Sequence, residues 1–207
     1  MYVFLSSLLV ASACKSELDD KPSAQVLDAA GDGASAAAVA KADPGAQALR
    51  LVAESSSIEF VGAKVSGDHR GSFGTPNGSL TLGGPDEIKT LSVQVATTEL
   101  QIEPDGLNKH LRGEDFFDVD KYPKASFALA SASKKEGSTY EIVGDLELRG
   151  VTKRISFPGT IKFTAGKVDA TASFKIKRKD FGIVYDGMAD DVIKDDVLLD
   201  LKLAFSA

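Results

Sequence analysis

From Leu49 onward, apolar and polar residues alternate with a period of two. Val168, Ala170, Ala172, Phe174 and Ile176 fall on one side of a segment, with Lys167, Asp169, Thr171, Ser173 and Lys175 on the other. Ile155, Phe157, Ile161 and Phe163 share a face opposite Ser156, Thr160 and Lys162. Tyr140, Ile142, Leu146 and Leu148 alternate with Glu141, Asp145 and Glu147, and Val197, Leu199, Leu201, Leu203 and Phe205 close the chain in the same way. Successive side chains of a strand point to opposite sides, so the pattern predicts strands with one buried face. Shorter runs at Ile58 and Phe60, Leu80 and Leu82, and Leu91, Val93 and Val95 add to the set. Leu100 and Ile102 fall out of register with Val95, which predicts a bulge or break near Thr97 and Thr98.

Turn residues separate these runs, as at Thr75-Pro76-Asn77-Gly78 and Gly83-Gly84-Pro85. Only the stretch from Asp105 to Arg112 reads as a helix, with Leu107 and Leu111 on one face. One short helix cannot build an alternating α/β fold, so the expectation is antiparallel all-β structure. Alternation does not separate a closed barrel from a two-sheet sandwich, because both bury one face of every strand. About eight strands over roughly 160 residues suit a barrel that is either filled or holds one ligand.

Upstream the pattern changes. Residues 15–47 are dominated by Ala, Ser, Asp, Gly and Lys, and Leu18, Val26, Leu27 and Val39 are their only large aliphatics. Too little apolar surface is present to offset the ordering entropy, so a flexible tether is expected. Before it, Val3 to Ala13 are apolar or small and end in Ala11-Ser12-Ala13-Cys14, which resembles a bacterial lipobox. The expected division is a signal peptide over 1–13, a linker over 14–47 beginning at a lipidated Cys14, and a folded domain over 48–207.

The formal net charge of −6 argues against a nucleic-acid partner, which calls for clustered Lys and Arg. Cys14 is the sole cysteine, so no intrachain disulfide forms. No apolar run approaches the roughly 20 residues of a membrane-spanning helix. The two histidines, His69 and His110, lie in no metal-binding spacing, and neither a nucleophile elbow nor a phosphate-binding loop is present. The acidic cluster Asp190, Asp191, Asp195 and Asp196 does not match an EF-hand and predicts a solvated loop. His110 and Arg112 sit two apart on the predicted helix and so point in different directions. One would face a cavity mouth while the other pairs with Asp115 or Asp118. His69 is expected at a turn or strand edge.

Several blocks coincide in order and spacing with one family. Ile58-Glu59-Phe60-Val61-Gly62 with Gly67-Asp68-His69-Arg70-Gly71-Ser72-Phe73 resembles the first strand pair of the YceI-like proteins. Leu111-Arg112-Gly113-Glu114-Asp115-Phe116-Phe117-Asp118 with Tyr122-Pro123 is similar to their most distinctive segment. Gly144 to Lys153 resembles their central hairpin, turning at Gly150, while Lys179-Asp180-Phe181-Gly182 and Asp196-Val197-Leu198-Leu199 resemble the closing elements.

The resemblance implies an extended eight-stranded antiparallel lipocalin-like barrel with one short helix, enclosing an elongated apolar pore. It further implies a non-enzymatic binder or carrier of an isoprenoid or other long-chain amphiphile, with no cofactor beyond the bound lipid. The expected pore lining is Phe60, Phe127, Ile142, Phe157, Phe163, Phe174 and Phe205, with His110 and Arg112 at the mouth. Lipidated Cys14 would hold the domain in the bacterial envelope, facing the periplasm and preferentially at the outer membrane. A homodimer stays open. Two other readings remain: a filled barrel serving as a structural or stress-response lipoprotein, and an enzyme using His110 on a prenyl lipid or quinone.

Overall fold

The computed structural model describes residues 16–27 and 46–207. The expected signal peptide, Cys14 and residues 28–45 of the expected linker lie outside the described residues. The strands are β1 (Gln25–Leu27), β2 (Gln47–Leu51), β3 (Ser57–Lys64), β4 (Asp68–Ser72), β5 (Asn77–Gly84), β6 (Glu87–Ala96) and β7 (Gln101–Ile102). A short helix α1 (Asn108–Arg112) precedes β8 (Lys124–Lys134), β9 (Thr139–Leu148), β10 (Val151–Thr164), β11 (Lys167–Lys177), β12 (Gly187–Met188) and β13 (Asp191–Ser206).

Antiparallel pairing runs β2–β5–β6–β8–β9–β10–β11–β13 and returns from β13 to β2. Eight strands therefore close on themselves, and the choice that periodicity left open falls to the barrel. The first three walls are each broken once. A 3-10 turn at Ala53–Ser55 divides β2 from β3, residues 73–76 divide β4 from β5, and a 3-10 turn at Thr97–Glu99 divides β6 from β7. The last is the break expected from the register of Val95 and Leu100. β13 is long enough to pair with β2 at Phe205 and Ser206 and with β3 from Lys202 to Ile193.

Local chemistry explains the connections. Arg149 (φ 50°) and Gly150 (φ 71°) form the two-residue link between β9 and β10, with the double left-handed geometry that matches strand twist. Tyr122 packs over this turn, so a Cβ on Gly150 would lie 2.5 Å from its ring.

Part of the expected tether is docked on the barrel. β10 and β11 pair only from Thr160–Thr171 to Thr164–Lys167, and beyond that the two strands separate. Residues 22–27 occupy the seam. The Lys175 N–H donates to Pro22 O at 2.8 Å, the Ala24 N–H donates to Lys175 O at 2.7 Å, and β1 pairs with Arg154–Ser156 of β10. Upstream, Leu18 is buried with Val61, Ala63 and Leu198, Ser16 Oγ donates to Asp68 at 2.8 Å, and Glu17 pairs with Arg70. A single well-placed leucine and the open edges of two strands order a stretch whose composition reads as linker.

The core follows the alternation. Phe163, Val168, Phe205 and Leu51 face one another in register across β10, β11, β13 and β2, and this packing fills the barrel end distant from α1. Above that floor, Ala170 and Ala172 replace larger residues on β11, and the interior opens.

Candidate functional site

The barrel interior holds a cavity of about 120 Å³. Phe127, Ile142, Phe157 and Phe174 line it, together with Leu129, Leu146, Leu199 and Leu201. Phe157 and Phe174 stack at 3.9 Å with their planes 14° apart, and Phe127 meets Phe157 edge-on at 5.7 Å. The small side chains Ala125, Ala170 and Ala172 leave the space these rings do not fill. Phe127, Leu129, Leu146, Leu199 and Leu201 are only half-buried although they point inward, because they face this hollow. The wall contains no ionisable side chain.

A second pocket of about 280 Å³ lies beneath α1 and the segment leading into β12. Leu107 and Leu111 of the helix region line it with His110, as do Phe60, Phe116, Phe117, Ile183, Tyr185 and Met188. His110, Phe116 and Tyr185 form a mutual cluster with centroid distances of 4.9, 5.1 and 5.5 Å. The lining here is mixed. Lys64 and Asp191 form an ion pair at 3.2 Å, and His69 Nδ1 lies 3.2 Å from the Glu103 carbonyl. Hydrogen bonding from Ser66, with the Lys64 ammonium nearby, holds the Asp191 carboxyl below its ordinary pKa.

Arg178 closes the floor of this pocket and is only 3% exposed. Its Nε, Nη1 and Nη2 donate to the carbonyls of Lys194, Ile183 and Ile193 at 3.0, 2.6 and 3.1 Å. The planar fork thus ties the loop before β12 to the start of β13. Asp186 lies 3.6 Å from the same guanidinium, and Lys179 at 2.7 Å holds its carboxyl below the usual range.

The residues expected at the site divide. Phe127, Ile142, Phe157 and Phe174 line the inner cavity. Phe60 lines the outer pocket instead. Phe163 and Phe205 line neither: Phe205 is fully buried in the floor, and Phe163 packs edge-on against Tyr140 at 6.3 Å. Their parity is inward as expected, but they meet across the barrel end and fill it. His110 stands at the outer pocket and also reaches Asp115 at 3.3 Å. Arg112, expected at the mouth beside His110, lines neither cavity, nor does it pair with Asp115 or Asp118; its Nη2 donates to the Leu100 carbonyl at 2.7 Å. The helix turns the guanidinium toward the chain break after β6 and away from the acidic loop.

Phe73, Phe117, Tyr185 and Arg178 were missed as site residues. Phe73 had a signal, since it shares inward parity with Gly71. Tyr185 and Arg178 lie in non-periodic segments and had none. The acidic cluster is dispersed: Asp191 pairs with Lys64, Asp196 with Lys175 at 3.6 Å, and Asp195 accepts from the Lys179 N–H. Among the described residues no group of three His, Cys, Asp or Glu is placed to hold a metal, and no helix is long and apolar enough to cross a membrane.

Comparison with known proteins agrees with this architecture. A protein of Photorhabdus laumondii, UPF0312 protein plu2095, is 36% identical over 124 residues, covering 56% of this chain and 64% of that one. Protein YceI of Shigella flexneri is 36% identical over 102 residues, covering 46% of this chain and 53% of its own length. The chain therefore spans less than two thirds of these curated relatives. Among solved structures, Burkholderia cenocepacia BcnA superposes with a TM-score of 0.68 at 17% identity, covering 74% of this chain and 98% of that one. A polyisoprenoid binding domain from Saccharophagus degradans gives 0.63 at 18% identity, with 77% and 98% covered. Both show the fold. The YceI-like domain family matches residues 49–205, from within β2 to within β13 and so nearly all of the barrel, and on that match the chain belongs to the YceI-like family.

Proposed function

We propose that this protein binds or carries an isoprenoid or other long-chain amphiphile, with the tail in the inner cavity and the polar head near His110. The observation that carries the reading is a hollow in a closed barrel whose wall is hydrocarbon with no ionisable side chain. Each CH₂ moved from water into such a wall contributes about 0.8 kcal/mol. Ordering a flexible tail offsets part of that gain, so several isoprene units are needed for firm binding. A hydrocarbon wall of aliphatic and aromatic side chains reads length and girth and places no ionisable acid or base against the tail, which supports a carrier over an enzyme. The Saccharophagus domain, described as polyisoprenoid binding, supports the same ligand class.

The same proposal places the domain in the bacterial envelope, facing the periplasm and held by an acylated Cys14, preferentially at the outer membrane. Incorporation of a labelled fatty acid that is lost in Cys14→Ser supports the anchor; incorporation that persists refutes it. For the ligand, organic extraction of the purified Cys14→Ser protein followed by mass spectrometry should recover a long-chain lipid in amounts comparable to protein. Repeated recovery of none, from protein with native circular dichroism, counts against the reading.

A further inference from the structure

Three phenylalanines stand between the two cavities. Phe73 lines the inner cavity, while Phe60 and Phe117 line the outer pocket. Their ring centroids are 5.2 Å apart for Phe60–Phe73, 6.1 Å for Phe60–Phe117 and 5.6 Å for Phe73–Phe117, the last at 89°. On β13 the successive inward residues Val197 and Leu199 belong to the outer and inner cavities respectively, so the partition is one side-chain layer thick.

The layer is built from unequal parts. Phe60 is fixed on β3 directly opposite Gly71, and a Cβ there would lie 2.4 Å from its ring. Only glycine lets that ring lie flat on the neighbouring strand. Phe117 comes from the loop after α1, where its N–H donates to Leu111 O at 3.0 Å. Phe73 lies just beyond the end of β4. Two of the three rings are thus carried outside regular strand.

Size gives the partition its consequence. An apolar cavity of roughly 150 Å³ takes a guest the size of benzene, and pockets for larger ligands run to about 300–1,000 Å³. At about 120 and 280 Å³, neither chamber holds a tail of many isoprene units alone. A long tail must pass the three rings.

Resting on the lipid-binding reading above, we propose that Phe60, Phe73 and Phe117 form a septum that sets the tail length the barrel accepts. Short tails fill the inner chamber and stop at the rings; longer ones gain only by displacing them.

The test measures competition by geraniol, farnesol and geranylgeraniol against a fluorescent farnesyl probe, on the full chain carrying Cys14→Ser. In that background, affinity rises from geraniol to farnesol and gains less than about twofold from farnesol to geranylgeraniol. Phe73→Ala and Phe117→Ala, which remove one ring each, should raise the geranylgeraniol-to-farnesol affinity ratio about tenfold. Phe73→Leu, which keeps volume and protects the fold, should give an intermediate ratio. A ratio unchanged in all three variants, with the parent still binding the series, overturns the septum and leaves the lipid-binding reading intact. No binding of any prenol by any folded form overturns both.

Discussion

The Ala24 N–H donates to the Lys175 carbonyl at 2.7 Å, and through this bond a segment ahead of the barrel completes a ladder that β10 and β11 leave open. With Leu18 seated on Val61, Ala63 and Leu198, the segment acts as a strap across the outer wall. Deleting residues 1–27 should destabilise the domain by about 2–4 kcal/mol, from one buried leucine and a few ladder bonds. Amide exchange at Lys175 should accelerate together with that of the β10 amides between Arg154 and Ser156 that face β1. An unchanged melting temperature with Lys175 still protected would show that the strap is incidental.

Arg178 is a buried cation held by three carbonyl oxygens, with the Asp186 carboxylate 3.6 Å away. Arg178→Lys keeps the charge but cannot present three donors in a plane, leaving buried carbonyls unpaired. The expected cost is about 2–4 kcal/mol by urea denaturation, with loosening of the loop before β12. A cost below about 0.5 kcal/mol would contradict the role given to the fork.

Gly150 and Gly137 both have positive φ, 71° and 56°, but only Gly150 has a neighbour in the way. Gly137→Ala should cost about 1 kcal/mol, from backbone conformation alone. Gly150→Ala should cost about 2–3 kcal/mol, because the new methyl meets the Tyr122 ring. Equal effects in thermal denaturation would mean that Tyr122 gives way freely.

Much of this architecture was legible in the sequence. Alternation on β9, β10, β11 and β13 marked the strands and their inward faces, and the register of Val95 against Leu100 marked the break at Thr97. Ala170 and Ala172 were visible between Val168 and Phe174, yet periodicity carries no depth, so it did not tell a filled level from a hollow one. Phe205 and Phe174 have the same parity and opposite fates for that reason. The strap was illegible because its ordering depends on edges supplied by strands more than a hundred residues away. The outer pocket depends on residues 178–193, where the chain has no regular period.

Acid should weaken the fold through carboxylates held below their ordinary pKa. Asp191 is lowered chiefly by Ser66, Asp186 by Lys179, and Glu141 by Lys135 and then Ser156. A depressed folded pKa contributes stability that is fully present above the unfolded value and lost as pH falls through the folded one. The ordinary values are 3.8 for the aspartates and 4.5 for Glu141. The urea midpoint should therefore hold between about pH 7 and pH 5.5 and fall below about pH 4. Asp186 is exposed and Asp191 and Glu141 are partly so, so added salt should flatten the change. A midpoint that rises below pH 4 would contradict these assignments.

If the hollow between Phe157, Phe174 and Ala172 holds the tail, filling it should abolish firm binding. Ala172→Phe places a ring in existing space, so the fold should survive at a cost of no more than about 3 kcal/mol. The measurement is equilibrium titration of a fluorescent farnesyl probe into wild type and Ala172→Phe, both in the Cys14→Ser background. Saturable binding to the parent is expected, weakened at least tenfold by Ala172→Phe. Equal affinity for the two folded proteins would place the ligand outside this hollow.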